Sequence, residues 1–394
     1  MNPLADLLSL SASEKHHRGL VHTPAEIAQQ PETWPRTLQI LGGRRSEIQQ
    51  FLRSCGVGGP AADRPMVFLV GAGTSDYIGH SLFSLLQSEW QCPCIPVAST
   101  SLLPAMSSYV LPDRRYLWIS FSRSGDSPEG VAVLERALAD HPNIAHLLIT
   151  CNPSGAMMRA LDGRPACLAI VLDEKTNDHG LAMTSSFTNM VIAGHGLAHA
   201  WSLDRYEPIL ESLTAAAADF IPAAADQAAG LAQGGLARAC FVGTGLLAGA
   251  AMESALKVLE LTAGQVQTMS QATLALRHGP MAALNPETIL VSFVSSQDAR
   301  RRYELDLLRE IGGKNLVRSR IAIAAANPDE VAAVAESVLF APSARQIPDP
   351  YRPVLDVVFG QLLGLFASIQ CGLKPDIPSP NGAISRVVQN VGIY

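Results

Sequence analysis

The chain has 394 residues, room for two or three domains. Apolar residues make up 48% of it and aromatics 6%, so a large core is available and the plentiful Ala and Gly favour close helix–sheet packing. A formal charge of −6 without a long basic run argues against a nucleic acid or an anionic membrane surface as the main partner, while leaving room for a local anion site.

The opening, MNPLADLLSL, carries an acid where a secretory signal needs a base. The seven cysteines are scattered, with Cys92 and Cys94 flanking Pro93 and no Cys-x-x-Cys pair, and they read as reduced thiols. Both features predict a cytoplasmic protein, and neither a metal nor a redox cofactor is signalled. Residues 1–55 form a helical extension. Thr23-Pro24-Ala25-Glu26 has the pattern of a capping box with proline at the first helical position, Gln29-Gln30-Pro31 ends that helix, and 34–51 is a second helix with Leu38, Leu41, Ile48 and Phe51 as its apolar points. Residues 56–65 are a turn-rich joint.

A doubly wound unit follows over 56–205. Val67-Phe68-Leu69-Val70 is an unbroken apolar strand that runs into Gly71-Ala72-Gly73-Thr74-Ser75 and a helix over 76–90. Further strands are predicted at 95–97, 116–119, 146–149 and 166–172, with a helix up to residue 140 after the third. Strands alternating with helices mean a parallel sheet with right-handed crossovers, and ligands of such sheets sit beyond the carboxyl ends of the strands. The pattern then repeats at an offset of roughly 170 residues. Cys240-Phe241-Val242-Gly243-Thr244-Gly245 echoes 69–74, Leu290-Val291-Ser292-Phe293 echoes 118–121, and 321–327 echoes 147–152. The fold class is therefore α/β, two tandem doubly wound parallel-sheet domains, the second over 206–372. The apolar run 357–373, interrupted by Gln361 and Gln370, reads as a buried closing helix, and 373–394 as a Pro-rich tail.

Two groups of residues carry chemistry. Glu253, Lys257 and Glu260 are four and three apart and share one helix face, followed by Arg277-His278-Gly279-Pro280. Burial raises a carboxylate's pKa and a nearby cation lowers it, so this is an acid/base array, or else an ordinary salt bridge beside a loop histidine. The second group is hydroxyl-rich. Thr74, Ser75, Ser120, Ser122, Ser124 and Ser127 fall where strand ends meet helix starts, and Thr184-Ser185-Ser186 follows Asp178-His179-Gly180. Together they form a phosphate cradle or a set of N-capping serines. Neither a dinucleotide fingerprint nor a P-loop is present, since no glycine sits three after Gly73 and no Gly-Lys-Ser/Thr follows.

Val70-Gly71-Ala72-Gly73-Thr74-Ser75 and Ser122-Arg123-Ser124-Gly125-Asp126-Ser127-Pro128-Glu129 resemble the signature of the sugar-isomerase (SIS) domain, which is flavodoxin-like. With Ala255-Leu256-Lys257, Glu260 and His278-Gly279-Pro280, the chain is similar to the isomerase half of glucosamine-6-phosphate synthase, without the glutaminase domain, since no nucleophilic cysteine follows Met1. Met183-Thr184-Ser185-Ser186, Leu259-Glu260-Leu261-Thr262-Ala263-Gly264 and Arg386-Val387-Val388-Gln389 resemble the galactosamine-6-phosphate deaminase/isomerase group, often labelled tagatose-6-phosphate ketose/aldose isomerase. The resemblance spans about residues 22–393. It implies a sugar phosphate held by Gly73, Thr74, Ser75, Ser122, Arg123, Ser124, Ser127, Thr184 and Ser185, without a cofactor. Glu260 is implied as the base moving a proton between C1 and C2, His278 as the ring-opening residue, and Lys257 as charge stabiliser or as a support for Glu260. In relatives that histidine comes from the neighbouring subunit, which implies a homodimer. Arg386 stands where synthase relatives have a tail lysine; arginine keeps the charge but cannot act as a base. Other SIS chemistries remain open, a deglycase of fructosamine phosphates or a plain aldose–ketose isomerase. So does a sugar-phosphate sensor, although the first fifty residues lack a basic helix-turn-helix pattern.

Overall fold

The unbroken apolar run at 67–70 becomes the middle of a strand, β1 (Met66–Gly71), buried along nearly its whole length. The computed structural model describes residues 2–388 and 391–394, so Met1 and the Gln389 of the tail motif lie outside the described residues. β2 (Cys94–Ala98), β3 (Tyr116–Ser122), β4 (Ile144–Thr150) and β5 (Cys167–Val171) complete a parallel sheet in the order β2-β1-β3-β4-β5. A second parallel sheet contains β6 (Arg238–Gly243), β7 (Gln267–Ala272), β8 (Thr288–Val294), β9 (Ser319–Ala324) and β10 (Ser337–Phe340), in the order β10-β9-β8-β6-β7. Counted from its other edge, that order matches the first sheet strand for strand. The registers match as well: Val70 pairs with Ser120, and Val242 with Ser292.

The same turn chemistry recurs after β1 and β6. A Cβ on Gly71 would lie 2.3 Å from the carbonyl oxygen of Ser75, and one on Gly243 would lie 2.3 Å from that of Leu247. Only glycine lets the following helix fold back this closely. The polar edge strand β7 and the division of 76–90 into two helices, Thr74–His80 and Phe83–Trp90, are additions to the sequence-based picture. The predicted helix over 34–51 is likewise two, Gln30–Gly43 and Arg45–Ser54.

Compactness groups the chain differently from sequence order. One unit, here the N-sheet unit, contains Thr33–Asn177, Ser185–Pro208 and Ser385–Tyr394; the C-sheet unit contains Met1–Glu32, Asp178–Thr184 and Ile209–Ile384. In the C-sheet unit the helix Pro353–Gln370, buried through Ser368, is long and apolar enough to cross a membrane but packs instead on the helix Leu247–Leu261. Gly360 and Gly364 make that contact close: a Cβ on either would meet Ser254 Cβ at 2.3 Å or the Lys257 carbonyl oxygen at 2.9 Å.

The expected capping box at residue 23 does not form. Thr23 is already helical in Thr23–Ala28, with His22 as an N-cap that makes no side-chain hydrogen bond. The orphan donors are satisfied from afar: the Asp376 carboxylate accepts from the backbone N–H of Val21, His22 and Thr23 and from the Thr23 hydroxyl. Glu26 instead accepts from the backbone N–H of His179 and Gly180. Burial pushes its carboxyl up to about 8, Asp178 adds to the rise, and the two N–H groups oppose it. A carboxyl raised in the folded state binds a proton there that the unfolded chain has released. Its stabilising contribution is therefore full below the ordinary carboxylate range and is lost as pH rises towards 8. We expect the melting temperature of the parent to fall more steeply between pH 5 and 8 than that of Glu26→Gln; parallel curves would contradict this.

Candidate active site

In the N-sheet unit the hydroxyls gather beyond the carboxyl ends of β1 and β3. Gly73, at φ 56°, turns the chain out of β1, and Thr74 and Ser75 begin the next helix with both side chains buried. Ser122 ends β3. Its Oγ accepts from the Gly125 N–H at 3.0 Å, and Ser124 Oγ accepts from the Asp126 N–H at 3.2 Å. Both hydroxyls thus keep their own protons to donate to an anion. Ser127, which precedes the helix Pro128–Asp140, gives its proton to Glu129 at 3.1 Å. The loop is braced by Asn152, whose Nδ2 donates to the Ser124 carbonyl at 2.7 Å. Positive charge comes from Arg123, buried, whose Nη2 donates to the Arg386 carbonyl at 2.9 Å. Arg386 in turn donates to Asn177 Oδ1 at 2.7 Å. Ser185, fully buried, opens the helix Ser185–Ala198 in the same unit.

The C-sheet unit carries the ionisable array. Lys257 is fully buried on the helix Leu247–Leu261, 3.4 Å from Glu253 Oε1 and 2.5 Å from Glu260 Oε2. Glu253 is also fully buried, whereas the Glu260 side chain is 25% exposed. Burial opposes the charge on Lys257, but the two carboxylates outweigh it and hold its pKa above the usual lysine value. Glu260 is thus a solvent-reaching carboxylate anchored on a buried cation. His278 is exposed and follows the short turn Thr273–Arg277, which Arg277 clamps through Glu310 at 2.7 Å and Asp306 at 2.8 Å.

Thr184 belongs to the C-sheet unit, and its polar atoms are held within it. Its N–H and hydroxyl both donate to Asp178, and its carbonyl accepts from Gln361 at 3.3 Å. The Thr184 hydroxyl is left as an acceptor, so Ser122 and Ser124 are the better phosphate donors. The structure therefore brings Gly73, Thr74, Ser75, Ser122, Arg123, Ser124, Ser127, Ser185 and Arg386 into one unit, and Thr184, Lys257, Glu260 and His278 into the other. Asn152, Asn177 and Asp178 support these groups without having been singled out for it by sequence. Among the described residues, no group of three or more His, Cys, Asp or Glu side chains is placed to hold a metal ion.

The SIS-domain family model matches residues 62–200. Over both units the chain is similar to D-galactosamine-6-phosphate deaminase AgaS of Escherichia coli, at 36% identity over 377 residues, covering 94% of this chain and 95% of that one. The chain belongs to the D-galactosamine-6-phosphate deaminase family. Membership agrees with the likeness to the crystal structure of tagatose-6-phosphate ketose/aldose isomerase from Escherichia coli, with a TM-score of 0.83 at 32% identity, covering 94% and 96% of the two chains. The C-terminal domain of glucosamine-fructose-6-phosphate aminotransferase from Francisella tularensis shares the fold of this deaminase-family chain, with a TM-score of 0.72 at 19% identity and 92% and 98% coverage.

Proposed function

We propose that the protein is a deaminating phosphosugar isomerase that converts galactosamine 6-phosphate to the ketose 6-phosphate and ammonia, working as a cytoplasmic homodimer. The phosphate is held in the N-sheet unit by Ser75, Ser122 and Ser124, with Arg123 and Arg386 supplying positive charge. His278 of the partner subunit protonates the ring oxygen as the sugar opens. Glu260 takes the proton from C2 and returns it to C1, through an enamine-type intermediate, to leave a ketose imine. Water adds to that imine, and its collapse releases ammonia and the ketose.

The observation that carries this reading is Glu260, a partly exposed carboxylate fixed by a fully buried lysine. A base on carbon must be positioned as well as ionised. Lys257 is engaged by both neighbours, which favours its role as the holder of Glu260 over direct contact with the sugar. The division of groups is also asymmetric: the N-sheet loop offers serine hydroxyls, whereas Gly243-Thr244-Gly245-Leu246-Leu247 lacks the paired hydroxyls of Thr74 and Ser75. One sugar phosphate per chain is the corollary.

Ammonia release measured across the hexosamine 6-phosphates tests the proposal. Stoichiometric ammonia and ketose from galactosamine 6-phosphate are expected; ketose formation without ammonia from any amino sugar would leave a plain isomerase. His278→Asn should depress turnover of cyclic substrate most and spare more of the activity on substrate presented open-chain. Equal losses on both forms would remove the ring-opening role.

A further inference from the structure

The hydroxyl-bearing loop after β3 has a counterpart after β8. β8 lies beside β6 as β3 lies beside β1, and counting on from the matched residues Ser120 and Ser292 puts Ser295 and Ser296 at the positions of Arg123 and Ser124. In the C-sheet unit, however, a carboxylate from the same chain sits on this loop. The Ser295 hydroxyl donates to Asp349 Oδ2, and Ser296 donates to Oδ1 through its N–H at 2.9 Å and its hydroxyl at 2.7 Å. Arg352 Nη1 lies 3.4 Å from Oδ1 and Arg300 Nη1 lies 3.9 Å from Oδ2. Ser295, Asp349 and Arg352 are all at most 3% exposed.

The Arg352 guanidinium is fixed at the strand ends. It donates to the carbonyl oxygens of Val294 at 2.6 Å and Ile323 at 3.3 Å, at the carboxyl ends of β8 and β9, and to Asp356 at 2.7 Å. Its Nε, also buried, has no hydrogen-bond partner among the described residues. Burial opposes the charge on Asp349, but Arg352 and the serine hydrogen bonds outweigh it and hold the carboxyl below its ordinary range. The two oxygens of Asp349 are thus met by hydroxyls, a backbone N–H and two guanidinium groups, the kinds of donor that hold a tetrahedral oxyanion, while the buried Glu304 takes the Ser295 N–H at 2.7 Å.

We propose that the loop 295–296 with Arg352 and Arg300 is a second oxyanion cradle, suited to a phosphate or sulfate group, and that Asp349 occupies it in cis. The comparison rests on the reading of the N-sheet loop as the sugar-phosphate cradle. It explains why a duplicated fold has one working cradle: the second is filled by the segment that leads into the helix Pro353–Gln370, and so anchors the helix that packs on the one bearing Lys257.

Calorimetric titration of the full-length parent and Asp349→Ala with inorganic phosphate, at constant ionic strength near neutral pH, tests this. The variant is expected to bind one more phosphate per chain than the parent, and Ser296→Ala added to it should remove the gain. Asp349→Asn should show none, because the amide still fills the cradle. A folded Asp349→Ala protein with the parent's stoichiometry overturns the proposal. Where the alanine variant is too unstable to titrate, phosphate and sulfate, but not chloride, should raise its melting temperature more than the parent's; the lack of such anion-specific rescue also overturns it. If the parent binds no phosphate at all, the N-sheet reading fails, while a gain of one in the variant still upholds the cradle at Asp349.

Discussion

Glu260→Gln is expected to lower turnover of galactosamine 6-phosphate by at least about a hundredfold, the lower end of what a positioned general base contributes. Glutamine keeps the shape of the side chain and offers an amide oxygen to Lys257, which retains Glu253 as a counter-charge. The helix Leu247–Leu261 should therefore stay folded and the melting temperature close to the parent's. Substrate affinity should change little, because the phosphate-binding hydroxyls belong to the N-sheet unit and Glu260 to the other. A fall in kcat with sugar-phosphate affinity kept is the signature of a group that acts in the transition state. Near-normal turnover in this variant would leave only a phosphate-binding fold, and the sensor reading would then be the better one.

Lys257→Met is expected to have the largest effect on stability. The ammonium is wholly buried between two carboxylates, one of them wholly buried too. Removing the cation leaves Glu253 desolvated without its counter-charge, which costs about 3–5 kcal/mol in comparable buried pairs. The deficit should depend on pH in a defined sense. An uncompensated buried carboxyl has a raised folded-state pKa, so it is tolerated when protonated at low pH and penalised increasingly as pH rises. Melting curves of the variant should thus approach the parent's at acid pH and fall away from them above neutrality. Adding Glu253→Gln should recover much of the stability, and activity should stay low because Glu260 has lost its holder. A Lys257→Met protein as stable as the parent at pH 8 would show that the buried array is not held by this lysine.

The parts of the fold legible in the sequence are those with local causes. The central strands β1, β3 and β4 are buried on both faces and so read as apolar runs. Glu253, Lys257 and Glu260 meet because helix geometry alone brings residues three and four apart together. β7 leaves no such run because four of the six residues of Gln267–Ala272 are polar, and the half-buried strand is held at the sheet edge by pairing with β6. Thr23 carried a local capping pattern, yet the cap is Asp376, a partner 353 residues away. Arg386 was marked by resemblance, but its neighbours Arg123 and Asn177 lie 263 and 209 residues back and leave no spacing to read. Asp349 looks like any surface acid in the sequence; only the fold puts it on Ser295 and Ser296.

The most direct test is a crystal structure of the Glu260→Gln protein with galactosamine 6-phosphate, in which slow turnover preserves the substrate. One sugar phosphate per chain is expected, with its phosphate against the hydroxyls of Ser75, Ser122 and Ser124 and the loop 295–296 still closed by Asp349. A phosphate lying on Ser295 and Ser296 instead, with the N-sheet hydroxyls unliganded, would contradict the account.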